Sequence, residues 1–202
     1  MHCLSFILFL LYLVSSNFIL AQQGDQKEKQ KDLLSSLNWK KWSPDPVPLF
    51  TPEESLAQFK IAPGFKIELV AHEPMVKDPV FIEWDDEGRM WVGELRTYMM
   101  DLDGSGEDRR MSRVMVLEDT DGDGVMDQAT PFLEDMLNVR SIAFVDGGVL
   151  VVETGGLWLC KDNDGDLRCD ERKKLFDFAT SAIDNIEHAE NGLHFALDNW
   201  MY

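Results

Sequence analysis

Two short acidic segments carry the side chains of this chain that are best suited to bind a cation. Residues 119–127 read DTDGDGVMD and residues 162–170 read DNDGDLRCD, so each has a carboxylate at its first, third, fifth and ninth positions. Hard divalent cations such as calcium take about six to eight oxygen ligands, which alternating aspartates in a glycine-containing turn can supply. The spacing predicts two calcium sites, with the ligands Asp119, Asp121, Asp123 and Asp127 in the first and Asp162, Asp164, Asp166 and Asp170 in the second.

The two segments differ at the sixth position, where the chain must turn sharply. The first has Gly124 there and the second has Leu167, which predicts a weaker second site because such a turn strains a residue with a Cβ atom. The first also lacks the glutamate expected at position twelve, where Thr130 stands. An ordinary polar turn rich in aspartate and glycine is the alternative for both segments.

The segments must be positioned by β-structure, because each follows an apolar run at residues 113–117 and 156–159. Three further stretches, 84–91, 144–151 and 195–202, share an aromatic residue, then a turn with Gly or Asn at the fifth position, then an apolar or aromatic strand. Their first residues lie 60 and 51 positions apart, and the acidic segments repeat at 43. Four short strands per period of about fifty residues is the spacing of propeller blades.

The predicted fold is therefore all-β: a partial β-propeller of about two blades and the start of a third, preceded by a short helix, with the number of blades in the full ring left open between four and eight. Thr51, Pro52 and Glu54 form a capping box that begins the helix, and alternation over residues 65–70 predicts a strand. A β-sandwich also has short strands, but it would not repeat the same hairpin at this period. We expect residues 49–202 to be the N-terminal fragment of a longer propeller domain.

Three other residues are candidates for chemistry. His188 precedes the third repeat, near the predicted propeller axis, and its ordinary pKa near neutrality suits a general base. Arg140 and Glu94 stand at the ends of repeat strands and are predicted to face the central channel, where Arg140 could hold an anionic cofactor. The alternatives are a packing histidine at 188 and solvated or salt-bridged strand ends at 140 and 94.

The composition and the N-terminus predict an exported protein. The chain has 202 residues and a net charge of −18, from 37 acidic and 19 basic residues, which disfavours nucleic acid and favours cations. Residues 4–13 are almost wholly apolar and Ala21 suits cleavage, so we expect a signal peptide at 1–21 and a flexible lead-in at 22–48; an uncleaved membrane anchor is the alternative.

Two cysteines flank and enter the second acidic segment. Cys160 and Cys169 could close a ten-residue ring in an oxidising compartment, worth roughly 2–3 kcal/mol in the loop-entropy picture. Two free, half-buried thiols are the alternative. The chain has no Cys-x-x-Cys-His sequence, so no c-type haem attaches to it.

Several stretches, taken in order, resemble a known family. They are 52–56 (PEESL), 62–71 (APGFKIELVA), 88–98 (GRMWVGELRTY), 117–127 (LEDTDGDGVMD) and 191–202. Together they resemble the N-terminal domain of a "membrane-bound dehydrogenase" family of planctomycetes and verrucomicrobia, over about residues 50–202. That family is similar to soluble glucose and sorbosone dehydrogenases, which are six-bladed quinoprotein propellers.

The resemblance implies a sugar or alcohol dehydrogenase that uses pyrroloquinoline quinone. His188, with Gly192, Leu193, Phe195, Asp198 and Tyr202 matching the rest of the pattern, would be the general base. Hydride would pass to the quinone, and electrons to a c-type haem domain or cytochrome c outside this chain. The implied location is periplasmic or extracellular, with possible membrane association. A non-catalytic calcium-stabilised propeller that binds carbohydrate or protein is the alternative, and a metal-dependent hydrolase or lactonase is a more distant one.

Overall fold

The computed structural model describes residues 49–101, 103–178 and 190–202. The expected signal peptide at 1–21, the lead-in at 22–48 and the candidate base His188 lie outside the described residues. Residues 50–202 form one compact unit. None of the helices in the described part of the chain is long and apolar enough to cross a membrane.

A single turn of helix, α1 (Pro52–Leu56), begins at the predicted capping box. The Thr51 hydroxyl oxygen accepts the Glu54 N–H at 3.2 Å, and the Glu54 carboxylate accepts the Thr51 N–H at 2.8 Å. Residues 65–70 form no strand, contrary to the prediction. Phe65 is exposed there, and among these residues only Val70 packs on the first sheet, where its carbonyl oxygen accepts the Met126 N–H at 2.8 Å; this single bond does not form a strand ladder.

Eight strands form two antiparallel sheets of four, each in sequence order. The first sheet contains β1 (Pro79–Trp84), β2 (Met90–Glu94), β3 (Ser112–Glu118) and β4 (Gln128–Met136). The second contains β5 (Ser141–Val145), β6 (Gly148–Glu153), β7 (Gly156–Lys161) and β8 (Glu171–Asp177). The protein is therefore all-β, as the sequence predicted, with the two acidic segments joining the third and fourth strands of each sheet.

The predicted repeat hairpins are present in all three places. The first and third have turns of the same form, with a left-handed residue at Gly88 (φ 80°) and at Asn199 (φ 64°). The flanking residues pair between strands at Trp84–Met90 and in an isolated bridge at Phe195–Met201. Two hydrogen bonds recur in both turns. The bond from Asp85 N–H to Arg89 O corresponds to that from Ala196 N–H to Trp200 O, and the bond from Gly88 N–H to Asp85 O corresponds to that from Asn199 N–H to Ala196 O. Residues 195–202 thus repeat the geometry of residues 84–91.

The middle hairpin is one residue shorter than the sequence comparison assumed. Phe144 pairs with Val149 across the turn, whereas Trp84 pairs with Met90. Met90 therefore corresponds to Val149, and not to the Leu150 that an alignment of equal lengths gives. A tight turn at Asp146 and Gly147 takes up the difference, as the pairing register shows.

The two sheets pack face to face through a buried apolar core. Side chains alternate along β3, so Val114 and Val116 face the second sheet while Met115 and Leu117 face away from it. Trp91 belongs to the inter-sheet core and is in edge-to-face contact with Phe132 (4.7 Å between ring centroids) and Phe144 (5.2 Å). A second cluster covers part of the first sheet's outer face with residues of the segment 70–76.

Candidate functional site

The antiparallel order places the candidate residues at two opposite edges of the sheets. At one edge, where strand ends meet, lie the β1–β2 and β5–β6 turns and both acidic loops, 119–127 and 162–170; this is the turn edge. The opposite edge, called the connection edge, carries residues 95–111, 137–140 and 154–155. All eight predicted metal ligands lie at the turn edge, while Glu94 and Arg140 lie at the connection edge. The strands thus separate the candidate metal sites from the candidate cofactor residues.

The two acidic loops have the same backbone hydrogen-bond network. In each, the first aspartate accepts the N–H groups of the fourth and sixth residues, and the ninth residue closes the loop by donating to the last residue of the preceding strand. In the first loop, the N–H groups of Gly122 and Gly124 donate to the Asp119 carboxylate (2.7 and 2.8 Å), and Asp127 N–H donates to Glu118 O (2.9 Å). In the second, the N–H groups of Gly165 and Leu167 donate to the Asp162 carboxylate (2.7 and 2.8 Å), and Asp170 N–H donates to Lys161 O (2.8 Å). Two different sequences have therefore folded to one loop geometry.

Each loop brings three of its four predicted ligands to a common point. Carboxylate oxygens of Asp119, Asp121 and Asp127 lie within 4.8 Å of one another in the first loop, as do those of Asp162, Asp164 and Asp166 in the second. The fourth carboxylate, Asp123 in the first loop and Asp170 in the second, lies outside the group of three; Asp123 accepts the Val125 N–H at 2.8 Å, and Asp170 accepts the Asn163 N–H at 2.7 Å.

The first aspartate has a lowered pKa in both loops. The N–H groups of Gly124 and Gly122 lower the pKa of Asp119; burial would raise the pKa of Asp162, but the N–H groups of Gly165 and Leu167 prevail and lower it. At the third position of the second loop, the Asp166 N–H lowers the pKa of Asp164, but the negative charges of Asp166, Asp170 and Asp162 outweigh it and raise that pKa above its usual value. The second loop therefore holds carboxylates that repel one another, and a bound cation would relieve this repulsion.

The difference at the sixth loop position is confirmed in the backbone. Leu167 has a left-handed φ of 63° where Gly124 has a φ of 90°. A left-handed conformation costs a residue with a Cβ atom about 1–2 kcal/mol. Because the Leu167 side chain packs against the core between the sheets, its burial offsets part of that cost.

At the connection edge, two glutamates end the second strand of their respective sheets as buried charges. The Glu94 side chain is 0% exposed and accepts the Lys77 N–H at 2.9 Å and the Arg113 guanidinium at 2.5 Å. Glu153 is also buried, and it accepts the Leu137 N–H at 2.8 Å together with ion pairs from Arg110 (2.8 Å) and Arg172 (2.6 Å). The predicted role of Glu94 in cofactor binding stays a prediction, since its described contacts are these internal ones.

Glu153 was missed because it carries no spacing signal of its own. The signal that could have found it is the charged residue at the end of an apolar strand in two consecutive repeats, VGE at 92–94 and VVE at 151–153. Aligning these ends would also have revealed the one-residue difference between the hairpins.

Arg140 lies immediately before β5, at the same edge as Glu94. Its backbone N–H donates to Val152 O at 2.8 Å, which fixes the entry to the second sheet. Burial lowers the pKa of the Arg140 guanidinium, while Tyr98 and the Glu190 carboxylate act in the opposite direction. This half-buried cation keeps its predicted place at a strand end, and its role in binding an anion stays a prediction.

The described part of the segment expected around the general base begins at Glu190. Leu193 N–H donates to the Ser141 hydroxyl oxygen at 3.0 Å, which attaches the segment to the second sheet. Tyr202 OH donates to the Asp198 carboxylate at 2.8 Å, and this bond lowers the pKa of Asp198 and raises that of Tyr202. Two residues of the pattern implied by the resemblance are thus in direct contact.

Cys160 and Cys169 are free thiols, so the expected disulfide is not formed in this structure. Cys160 is fully buried in the core between the sheets, and Cys169 packs against the same core. The Cys169 thiol donates to the Glu171 backbone oxygen at 3.2 Å, and burial, followed by the nearby Cys169, raises the pKa of the Cys160 thiol.

A groove of about 650 Å³ opens at the turn edge between the two sheets. It is lined by Asp85 and Arg89 of the first turn, by Trp91 and Phe144 of the core, and by Lys161 and Asp162 at the start of the second acidic loop. Asp85 accepts hydrogen bonds from the Trp91 indole (2.8 Å) and the Arg89 guanidinium (2.6 Å), a contact that sequence reasoning did not anticipate.

These features define a class: an all-β protein of consecutive four-stranded antiparallel sheets with an acidic loop between the third and fourth strands of each. The chain belongs to the family described as "Domain of unknown function (DUF7133)", which matches residues 51–202. A search of curated proteins and a search of solved structures each find no match to it. The resemblance to dehydrogenases therefore stays a prediction.

Proposed function

We propose that residues 50–202 belong to a calcium-stabilised β-propeller in which the cations hold the outer hairpin of each blade. The observation that carries this proposal is the recurrence of one hydrogen-bonded loop, with three converging carboxylates, at the same place in two consecutive sheets. A polar turn needs no such convergence of like charges.

The propeller arrangement is supported by the apolar character of both outer faces. On the first sheet, Val80, Ile82 and Trp84 continue the outward-facing side and are 44%, 53% and 53% exposed. On the second, Leu150, Leu157 and Leu159 face outward, half-buried, beside the 64% exposed Phe176. The outer faces of a two-sheet sandwich are polar, whereas each blade of a ring packs on both sides.

The loops fit calcium in the chemistry of their donors. Every candidate ligand atom is an oxygen, and the three carboxylates of each loop would neutralise the charge of the ion. In the first loop, position twelve carries Thr130 in place of a bidentate glutamate, so backbone carbonyls and water would complete the coordination. We expect moderate affinity, on the order of 10⁻⁴–10⁻³ M as in extracellular modules, and a weaker second loop because of the strain at Leu167.

Isothermal titration of the metal-free chain with calcium tests this function. We expect two binding events and a rise in the unfolding temperature. Asp119→Asn should remove the tighter event and Asp162→Asn the weaker one. Asp146→Asn, which removes a charge from an exposed turn at the same edge, is the matched control and should change neither. Absence of heat and of thermal stabilisation in the unaltered chain would reject calcium binding.

Oxidation of a sugar or alcohol with pyrroloquinoline quinone is the second candidate function. It rests on the resemblance and on one observation, that Arg140 and Glu94 share the connection edge, away from the calcium loops. In this proposal Arg140 would bind the anionic quinone, His188 would take the proton of the substrate hydroxyl, and calcium would be structural. The bound quinone would supply the hydride acceptor, and an exported c-type cytochrome would receive the electrons.

The test is dye reduction by the full-length protein, supplied with quinone and calcium, over a panel of aldoses and alcohols. We expect His188→Ala to abolish the rate and His194→Ala, a second histidine of the same segment, to retain it. Failure of the unaltered protein to reduce the dye, or equal rates in the two variants, would reject the enzymatic role.

A further inference from the structure

The groove at the turn edge has, apart from the predicted calcium ligand Asp162, no part in either proposed function. Its volume of about 650 Å³ lies within the range of about 300–1,000 Å³ that is usual for small-molecule sites. One wall is the β1–β2 turn, residues 85–89, and the other consists of residues 147–148 and 161–163 of the second sheet. The rings of Trp91, Phe132 and Phe144 supply an apolar floor.

Hydrogen bonds within its own turn hold the first wall in place. The Asp85 carboxylate accepts the backbone N–H groups of Glu87 (3.1 Å) and Arg89 (2.9 Å). It also accepts the Arg89 side chain (2.6 Å) and the Trp91 indole (2.8 Å). Because these contacts and one to Glu87 (3.0 Å) use only part of the Arg89 guanidinium, further N–H donors remain for a ligand. Exposed Asp86, in the same wall, makes no side-chain hydrogen bond or ion pair with any residue that the structure describes.

The second wall carries a half-buried cation. Among the described residues, none forms an ion pair or a hydrogen bond with the Lys161 side chain. Its stem lies against Gly148, where a Cβ atom would be 3.2 Å from Lys161 Cγ and 2.5 Å from the Cys160 carbonyl oxygen. That glycine therefore leaves the room in which the lysine lies along the wall. Asn163 adds an exposed amide, which can both donate and accept.

The charges around the groove favour a neutral ligand. Lys161 and Asp86 belong to opposite walls, so an anion drawn to the lysine meets the aspartate and a cation drawn to the aspartate meets the lysine. An amino acid carries its two charges on one carbon atom and does not span the two walls. A ring with several hydroxyl groups satisfies both walls, because each hydroxyl donates and accepts, and its C–H face suits an apolar floor.

We propose that this groove binds a neutral saccharide. Lys161 and Arg89 would donate hydrogen bonds to its hydroxyl oxygens, and Asp86 would accept hydroxyl protons from the other side of the groove. The site is distinct from the one considered for sugar oxidation, which lies at the connection edge. It requires neither bound calcium nor a quinone, so it does not rest on the proposed function.

NMR spectroscopy of the ¹⁵N-labelled full chain in a chelator tests the proposal, with glucose, galactose, maltose, cellobiose and lactose as probes. We expect at least one of them to shift the signals of Gly147, Gly148 and the Trp91 indole in a saturable manner. Benzoate, benzylamine and phenylalanine represent an anion, a cation and a zwitterion, and each should bind more weakly. Tighter binding of a charged probe, or no shift with any of the five sugars, would overturn the proposal.

Two variants with matched controls assign the site. Lys161→Met should weaken saccharide binding about fivefold, the effect of one lost hydrogen bond, and Asp86→Ala should do the same from the opposite wall. Lys173→Met and Asp146→Ala change the same residue types at exposed positions outside the groove and should leave the affinity unchanged.

The outcome for the groove is separable from those for the other functions. Saccharide binding that is equal in Lys161→Met and Lys173→Met, with shifts at Glu94 and Arg140, would overturn the groove site and favour a sugar site at the connection edge. Saccharide binding in the groove of a chain that gives no heat with calcium would support this proposal and reject the calcium function.

Discussion

At the scale of single residues, two carboxylates of the described chain are buried at a cost in desolvation free energy. Glu94 and Glu153 each combine a backbone N–H from the segment entering their sheet with an arginine side chain. A buried ion pair contributes little net stability, but removal of one partner leaves an uncompensated charge. Both glutamates therefore specify how the incoming segment docks on its sheet.

Replacement of Glu153 by glutamine should lower the free energy of unfolding by about 3 kcal/mol, because Arg110 and Arg172 would then lack their shared anion. Urea unfolding measures this loss. Glu134→Gln is the matched control: Glu134 is 58% exposed and lies 4.0 Å from Arg113, so the change should cost less than about 0.5 kcal/mol. Equal losses in the two variants would contradict a structural role for Glu153.

Asp85 should make the stability depend on acid. Burial would raise its pKa, but hydrogen bonds from Trp91 and Arg89 prevail and lower that pKa below the usual 3.8. A lowered pKa in the folded state contributes stability above 3.8 that is lost as the pH falls toward the folded value. Asp85→Asn should cost about 1–2 kcal/mol near neutrality. In thermal unfolding, the difference in unfolding temperature between the variant and the unaltered protein should decrease below pH 3.8. A difference that does not change with pH would refute this prediction.

At the scale of elements, the sequence predicted what depends on local spacing. The acidic loops, the capping box at Thr51 and the repeat hairpins follow from residues within about ten positions of one another, and the structure has each of them. The strand predicted at 65–70 fails because alternation does not supply a pairing partner. The shortened β5–β6 turn and the role of Glu153 depend on register and on long-range contacts, which a single sequence does not encode directly.

Two glycine substitutions should separate close packing from backbone strain. A Cβ atom at Gly93 would lie 2.1 Å from the Phe81 ring, so Gly93→Ala should cost about 2–3 kcal/mol. A Cβ at Gly124 would meet nothing within 4 Å, so Gly124→Ala should cost about 1 kcal/mol through its left-handed φ of 90°. Urea unfolding in the presence of a chelator compares them without calcium. A greater loss at Gly124 would contradict the packing seen around Phe81.

At the scale of the whole molecule, exposed apolar surface favours self-association and the strongly negative net charge disfavours it. The outer faces of both sheets expose apolar side chains, which the proposed propeller would bury between blades, while the net charge of −18 keeps copies of the chain apart. Salt reduces that repulsion, so it should favour association through the apolar faces.

Ile82→Lys should therefore reduce self-association of the full chain in high salt several-fold, because Ile82 lies 53% exposed on the first sheet's outer face. Light scattering after size-exclusion chromatography measures the associated fraction. Glu83→Lys is the control, since it adds a lysine to the same strand at an exposed position on the opposite side. If the control reduces association equally, charge and not the outer face governs it.

The distance between the turn edge and the connection edge makes the protein suitable for paramagnetic relaxation measurements by NMR. Strands of five to seven residues place the acidic loops roughly 17–23 Å from the connection edge. If the acidic loops bind calcium as proposed, gadolinium in its place would broaden the NMR signals of Asp85 and Gly147 strongly and leave those of Glu94 and Arg140 much sharper. Any molecule that docks at the connection edge could then be located by the relaxation of its own signals.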